Sequence, residues 1–142
     1  RNIDLVLIGG PGRDGYDEIH ALAQDEHVHE LGWLDVQDTA AIVAGAEAFA
    51  FATKKEGFGI PILEAMAVGT PVICSDLPVL REVGGDVPIF VDRTDQMAWS
   101  VAFDRILQED VDERIAKGIE HAAHYTWEHT ARETLRVLCN IL

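Results

Sequence analysis

Short apolar runs alternate with segments of helical periodicity along most of the chain. The apolar runs end at glycine or polar residues and predict five β-strands, at residues 3–8, 27–31, 47–52, 71–75 and 87–91. The segments between and after them repeat apolar residues at helical spacing. They predict helices at residues 16–24, 38–44, 59–68, 77–83, 95–108, 112–124 and 127–141.

The predicted strands are continuously apolar and show no alternation of apolar and polar positions. Such strands are typical of sheets that helices cover on both faces. Together with the alternation of strands and helices, this predicts an α/β fold with a Rossmann-like parallel β-sheet flanked by helices. Ligands of such sheets bind beyond the carboxyl ends of the strands, so the loops after the strands are the places to look for chemistry.

The charge balance narrows the class of partner. The 142 residues carry 11 Lys and Arg against 25 Asp and Glu, a formal net charge of −14. Nucleic acid and anionic lipid surfaces attract the opposite charge, so we expect neither as a partner. No apolar stretch approaches the roughly 18–20 residues of a membrane span.

Length and cysteine content indicate one domain in a reducing compartment. A chain of 142 residues fits a single domain with its own core. We predict that Cys74 and Cys139 are reduced, buried thiols, which is typical of a cytoplasmic protein. The chain opens in a predicted strand without an initiator Met, which we interpret as a piece of a longer protein.

The strongest chemical pattern is TKKEGFGIPILEAMAVGTP at residues 53–71. Gly57 and Gly59 leave the backbone bare, so a ligand can approach the peptide N–H groups closely. Pro61 fits the first turn of the helix that follows. We expect the N–H groups of residues 59–62, together with the positive helix end, to suit a phosphate group.

Two acidic residues flank this predicted anion site. Glu56 lies on the loop and Glu64 in the opening turns of the helix. Like charges repel, so neither carboxylate suits the phosphate itself, and sugar or ribose hydroxyls are better partners. The simpler alternative is a glycine turn beside two solvated acids, since acids near helix N-termini are common.

The segment EGFGIPILEAMAVGTPVI resembles the signature of the donor-binding half of retaining glycosyltransferases with the GT-B fold, in particular family 4, group 1. The family's Glu pair, separated by seven residues, matches Glu56 and Glu64. Four further segments resemble family segments in the family's order: LVLIGGPG, VHELGWL, LREVGGDVPIFVD and TWEHTARETL. The similarity covers essentially the whole chain and implies that residues 1–142 are a nucleotide-sugar (donor) binding domain, the C-terminal half of a GT-B fold.

The resemblance implies a role for each matching residue. Glu56 is the candidate catalytic residue and would bind hydroxyls of the donor hexose, while Glu64 would accept hydrogen bonds from the ribose. The segment at residues 31–34 would frame the base. The remaining implied donor-binding residues are Gly57, Phe58 and Gly59 at the sugar and diphosphate, Ile60 and Leu63 against the nucleotide, Gly9 and Gly10 in the first loop, and Trp33 as a stacking face.

The implied reaction transfers a hexosyl group from a nucleoside diphosphate sugar, such as a UDP or GDP sugar, to an acceptor hydroxyl with retention. It needs no cofactor and no metal. The acceptor, a glycan or glycolipid, would be held by an N-terminal domain that this chain lacks. The family's Arg and Lys that grip the diphosphate precede the segment matching IDLVLI, so we expect the fragment alone to be inactive. The whole protein would be cytoplasmic, some relatives working at the cytoplasmic membrane face.

Two other functional classes remain alternatives. Residues 10–15 match G-x-G-x-x-G after a strand, which is the fingerprint of a dinucleotide-binding Rossmann domain of an oxidoreductase. Pro11 removes an N–H that a pyrophosphate would use, so a plain glycine turn explains the match as well. The third class is a non-catalytic module that binds a nucleotide or a protein. Enzymes related by fold but not by reaction, such as nucleotide-sugar epimerases and sugar phosphorylases, also remain open, although GFG beside the Glu pair favours transfer.

Several other residues receive structural roles. Asp110 and Asp112 match a D-x-D metal motif, but their place before a helix predicts capping. His121, His124 and His129 are predicted to be exposed at helix ends. Thr126 is predicted to cap the last helix, with Trp127 packed beneath it.

Overall fold

The computed structural model describes residues 3–10, 17, 20–21 and 23–141. It consists of two compact units, residues 1–41 and residues 42–142. The predicted helix at 16–24 falls largely outside the described residues. Every other predicted helix and strand is present, with ends within two residues of those predicted.

The first unit contains two parallel strands. β1 (Leu5–Ile8) pairs with β2 (Val28–Gly32), and the register shifts between Leu7 and Ile8. The helix α1 (Val36–Ala44) follows β2 and spans the boundary between the units. Leu5 is 48% exposed, so the prediction that this strand is buried on both faces is wrong. The described residues of this unit do not cover both faces of its two-stranded sheet.

The second unit contains a three-stranded parallel sheet with β4 at its centre. β3 (Phe49–Phe51) and β5 (Ile89–Val91) pair with the two edges of β4 (Val72–Ser75). All four residues of β4 are buried, as its apolar run predicts. Five helices complete the unit: α2 (Ile60–Ala67), α3 (Pro78–Gly84), α4 (Gln96–Gln108), α5 (Asp112–Ala122) and α6 (Trp127–Ile141).

Helices cover both faces of the central strand. Val72 and Cys74 pack in one core cluster with Ile62 and Met66 of α2. Ile73 points to the other face and packs with Ala102 and Ile106 of α4 and Val91 of β5. Side chains alternate across a strand, so this division follows from the sequence of β4 itself. The predicted α/β fold with parallel sheets flanked by helices is therefore confirmed.

Polar side chains start the last three helices. The Asp95 carboxylate accepts from the N–H of Ala98, and the Thr126 hydroxyl accepts from the N–H of His129, as a cap should. The N-cap residue of α5 is Val111, which forms no side-chain cap bond, so the predicted capping by the D-x-D aspartates is wrong. The Asp110 carboxylate instead accepts from the N–H of Asp112, the first residue of the helix.

Trp127 is 84% exposed, so its predicted packing beneath the last helix is wrong. It is the first residue of α6, where the chain leaves α5 through the exposed Tyr125. α6 is amphipathic in sequence, yet its Leu135 and Leu138 are 61% and 55% exposed. None of the described helices is both long and apolar enough to span a membrane.

The two cysteines differ sharply in environment. Cys74 has no exposed surface, and burial raises the pKa of its thiol to about 12. Cys139 on α6 is exposed, so the prediction that both thiols are buried is wrong for this residue. Nothing in the described structure packs over α6 at that position.

We expect a thiol reagent at pH 8 to label one cysteine in the folded chain and two after denaturation. The thiolate is the reactive form, and the buried Cys74 stays protonated while Cys139 is accessible. Mass spectrometry of the labelled chain measures this, with Cys139→Ser as the control that should abolish native labelling. Rapid labelling of Cys74 in the native state would contradict the burial of this thiol.

The raised pKa of Cys74 also predicts a dependence of stability on pH. Because this pKa lies above the ordinary 9.0, the free energy of unfolding should fall as pH rises between that value and about 12.

Candidate functional site

The loop after β3 and the first turn of α2 form the backbone of the predicted site. Gly59 caps α2 with φ 99° and ψ 37°, a conformation that L-residues with a side chain rarely adopt. A Cβ at Gly59 would lie 2.5 Å from Cδ2 of Leu80, a fully buried residue of α3. The glycine is therefore required both for its backbone conformation and for close packing. Pro61 lies in the first turn of α2, as predicted.

The free N–H groups at this helix end differ slightly from those predicted. The Ile62 N–H donates to the carbonyl of Gly59 over 3.1 Å, and Pro61 has no N–H to offer. The N–H groups of Phe58, Gly59 and Ile60 have no hydrogen-bond partner among the described residues. The donors left for a ligand thus begin one residue earlier than the sequence predicts. They lie at the positive end of the α2 dipole.

The two glutamates of the motif have different surroundings. Glu56 is half-buried, and its Oε1 accepts from the N–H of Gly57 over 3.1 Å. Glu64 is exposed on the first turns of α2. Neither carboxylate forms an ion pair within the part of the chain that the structure describes. Both are therefore available as acceptors for hydroxyl groups, because a carboxylate has about four acceptor sites and Glu56 uses one of them for the Gly57 N–H.

A groove of about 430 Å³ runs beside the first turns of α2. Its lining includes four of the predicted donor-binding residues and the aromatic pair at the junction of α5 and α6: Phe58, Ile60, Leu63, Glu64, Tyr125 and Trp127. Phe58 meets the Tyr125 ring edge-on, with centroids 6.1 Å apart. Sequence reasoning did not place Tyr125 or Trp127 near this loop, since the contact joins segments far apart in the chain. Leu63 is 8% exposed, so only its edge reaches the groove.

The other three predicted site residues lie in the first unit; they are Gly9, Gly10 and Trp33. Gly9 has φ 126°, a backbone conformation that favours glycine. A Cβ on Gly10 would overlap the Trp33 indole, so the loop after β1 passes directly against this ring. Trp33 is 83% exposed and leaves a free aromatic surface. Residues 11–15 of the G-x-G-x-x-G match lie outside the described residues.

An ion pair follows β4 at its carboxyl end. Arg81 of α3 forms a two-bond contact with Asp76, with Nε 2.5 Å from Oδ1 and Nη2 2.8 Å from Oδ2. The guanidinium also lies over the Phe90 ring, 4.6 Å from its centroid. Hydrogen bonding from Arg81 lowers the pKa of the Asp76 carboxyl. The pair is therefore favourable at neutral pH, and its contribution is lost as pH falls through that lowered pKa.

The histidines form contacts of two kinds. His27 Nδ1 lies 2.9 Å and His29 Nε2 lies 3.4 Å from the Asp4 carboxylate, and the bond from His27 contributes most to lowering the pKa of Asp4. His121 is half-buried with Nε2 2.7 Å from the Val83 carbonyl, so its predicted exposure is wrong. Among the described residues, no three His, Cys, Asp or Glu side chains are arranged to hold a metal ion.

The family model for glycosyl transferases group 1 matches residues 1–124. O-antigen chain mannosyltransferase B of Escherichia coli is 36% identical over 110 residues, covering 76% of this chain and 29% of that protein. Phosphatidyl-myo-inositol mannosyltransferase of Mycobacterium leprae is 34% identical over 137 residues, covering 93% of this chain and 37% of that protein. The chain thus spans about a third of the length of these curated relatives.

Solved structures agree on the fold. A sucrose-phosphate synthase from Thermosynechococcus elongatus superimposes with a TM-score of 0.85 at 25% identity, covering 97% of this chain and 38% of that chain. Anabaena HepE in complex with UDP gives a TM-score of 0.79 at 18% identity, covering 99% of this chain and 41% of that one. The family match over most of the sequence confirms the resemblance seen in its motifs. The chain belongs to the glycosyl transferases group 1 family.

Proposed function

We propose that residues 1–142 are the donor-binding part of a retaining glycosyltransferase that uses a nucleoside diphosphate hexose. The observation that carries the proposal is the arrangement at the start of α2. Within the part of the chain that the structure describes, the N–H groups of Phe58, Gly59 and Ile60 have no hydrogen-bond partner. In the sequence they stand between Glu56 and Glu64, the candidates for binding hydroxyl groups. The N–H groups suit a diphosphate, and the carboxylates suit the hexose and ribose on either side of it.

The relatives support this choice of ligand. Two of them are mannosyltransferases, and solved structures of HepE contain UDP, UDP with glucose, or UDP-glucose. Because the chain spans about a third of the curated relatives, we place the acceptor, a glycan or glycolipid, on a part of the protein outside these residues. We also propose that the reaction takes place in the cytoplasm.

In the proposed reaction the bond between the anomeric carbon and the diphosphate oxygen breaks as the acceptor oxygen bonds to the same face of that carbon. The leaving diphosphate gains negative charge, and the N–H groups of residues 58–60 stabilise it. Glu56 holds hydroxyls of the hexose and so orients the anomeric carbon. A phosphate oxygen of the donor accepts the acceptor's proton. No metal takes part in this scheme, so EDTA should leave donor binding unchanged.

The first test is calorimetric titration of the chain with UDP, GDP, ADP, UDP-glucose, GDP-mannose and NAD. Glu64→Gln should weaken binding of the preferred nucleoside diphosphate and of its sugar conjugate alike, by about tenfold or more, because hydrogen bonds to a charged group are lost. Glu56→Gln should weaken only the sugar conjugate. Glu120→Gln, an exposed acid on α5, is the matched control and should change neither.

The dinucleotide alternative predicts a different result. NAD binding that is insensitive to both Glu64→Gln and Glu56→Gln would replace the proposed function with that of an oxidoreductase domain. Equal effects of Glu56→Gln on free and sugar-bound nucleotide would contradict the role given to Glu56 while keeping the nucleotide site.

A further inference from the structure

We infer that Ser75 is the positioning residue for Glu56, and that its buried hydroxyl sets how the site discriminates a sugar conjugate from the free nucleotide. This inference rests on the proposed function, because it assigns Glu56 to the donor hexose. Ser75 matches none of the family segments named in the sequence analysis. It acts only through the loop that carries Glu56.

Ser75 ends the central strand β4 with 1% of its surface exposed. Its Oγ accepts a hydrogen bond from the Thr53 N–H over 2.9 Å. Thr53 is the second residue after β3, and its own hydroxyl donates to the carbonyl of Lys55 over 3.1 Å. The buried hydroxyl thus fixes the first turn of the loop that leads to Glu56.

The same loop is held at its far end by packing. Gly59 lies against the fully buried Leu80 of α3, and its carbonyl accepts from the N–H of Ile62. Both anchors, Ser75 and Leu80, belong to the β4–α3 segment. Between them, the Glu56 carboxylate accepts one hydrogen bond from the described residues, the one from the N–H of Gly57. The position of its carboxylate is therefore set by where the two ends of the loop are held.

Removing the Ser75 hydroxyl leaves the Thr53 N–H without its partner in a half-buried position. An unsatisfied donor favours local rearrangement toward water, so the start of the loop is released while Gly59 stays fixed. Hydroxyl recognition depends on placement to within about 0.5 Å, so Glu56 loses its grip on the hexose before the N–H groups of α2 lose the diphosphate.

Thr70 offers a matched control. It is the other buried polar residue in the described part of the chain, 3% exposed, and lies near the opposite end of β4. Its hydroxyl donates to the carbonyl of Val43 over 2.6 Å, so it too bonds to the backbone of a distant segment, here as the donor and not the acceptor. Thr70→Val removes this bond with little change in shape, and the bond it removes does not involve the loop that carries Glu56.

The experiment compares wild type, Ser75→Ala and Thr70→Val by calorimetry with UDP and UDP-glucose, and by amide hydrogen exchange without ligand. We expect Ser75→Ala to bind UDP as wild type does and to lose about tenfold in affinity for UDP-glucose. We expect faster exchange at the Thr53 amide and across residues 53–58. Thr70→Val should show neither change.

A double-mutant comparison separates positioning from general destabilisation. If Ser75 acts through Glu56, then Ser75→Ala adds no further loss of UDP-glucose affinity in the Glu56→Gln background. Additive losses, equal losses for UDP and UDP-glucose, or the same pattern in Thr70→Val would each overturn the inference. Unchanged hydrogen exchange at the Thr53 amide in Ser75→Ala would also overturn it, whatever the binding measurements show. If wild type binds no nucleoside diphosphate, the proposed function fails, and the role of Ser75 in donor discrimination fails with it. Faster exchange in Ser75→Ala would then show only that the Ser75 hydroxyl holds the loop.

Discussion

The Gly59→Ala variant is expected to lose about 2–4 kcal/mol of unfolding free energy. Two costs add at this position. The backbone stands at φ 99°, where any side chain is strained, and the new Cβ would meet Leu80 Cδ2 at 2.5 Å. Leu80 is fully buried, so moving its Cδ2 aside requires the core around it to repack. The loss should be largest for the loop and for α2, and donor binding should fall with it.

Gly57→Ala is the matched control for this prediction, measured by urea unfolding monitored by circular dichroism. Gly57 has no positive φ, and a Cβ there meets nothing within 4 Å. Its unfolding free energy should therefore stay within about 0.5 kcal/mol of wild type. Equal stabilities of the two alanine variants would show that the loop can rearrange around Gly59. The close packing of Gly59 against Leu80 would then not contribute to stability.

The second large effect is expected at Ile62, where alanine should lower the unfolding free energy by about 2–5 kcal/mol. Ile62 is fully buried in the core cluster that joins α2, β4 and α3. Its side chain lies beside Gly59 and Gly84, within 4 Å of where a Cβ would stand on each. Truncation leaves a cavity between rigid backbone segments that cannot close easily, which places the loss toward the upper part of the range.

Ile60→Ala provides the comparison, because it removes the same atoms from the same helix. Ile60 is 49% exposed, so its change in unfolding free energy should be small. The proposed function gives the two variants opposite signatures: Ile60→Ala should weaken nucleotide binding, while Ile62→Ala should mainly lower the unfolding midpoint in urea. A large loss of stability in Ile60→Ala would place this side chain in the core instead.

The order of strands and helices was predictable because each element carries its own local signal. The run PVICS could only be a buried strand, and it became the fully buried β4. Pro61 lies in the first turn of α2, and Gly69 follows the end of this helix with φ 82°. Proline commonly begins a helix and glycine commonly ends one, so both ends of α2 have a signal in the sequence. Such signals depend only on neighbours along the chain and can be recognised without the fold.

Burial was the property predicted least well. The run at β1 has the same composition as a buried strand, yet Leu5 is half exposed. The sequence predicts Trp127 and Cys139 to be buried, and both are exposed. It predicts His121 to be exposed, and this side chain bonds to the Val83 carbonyl 38 positions earlier. Residue type indicates whether a side chain is suited to burial. Whether it is buried depends on which segments of the chain pack against it.

By itself, the sequence determined the α/β class, the order of the elements and the acidic net charge, since periodicity and composition are readable along the chain. It also pointed to the family, through segments that resemble family segments in the same order. Only the tertiary structure decided how the site is held. Ser75 under Thr53, Leu80 against Gly59 and Tyr125 beside Phe58 join residues 21 to 67 positions apart. Such contacts carry no local periodicity, because they exist only after the chain has packed, and the geometry of Glu56 depends on them.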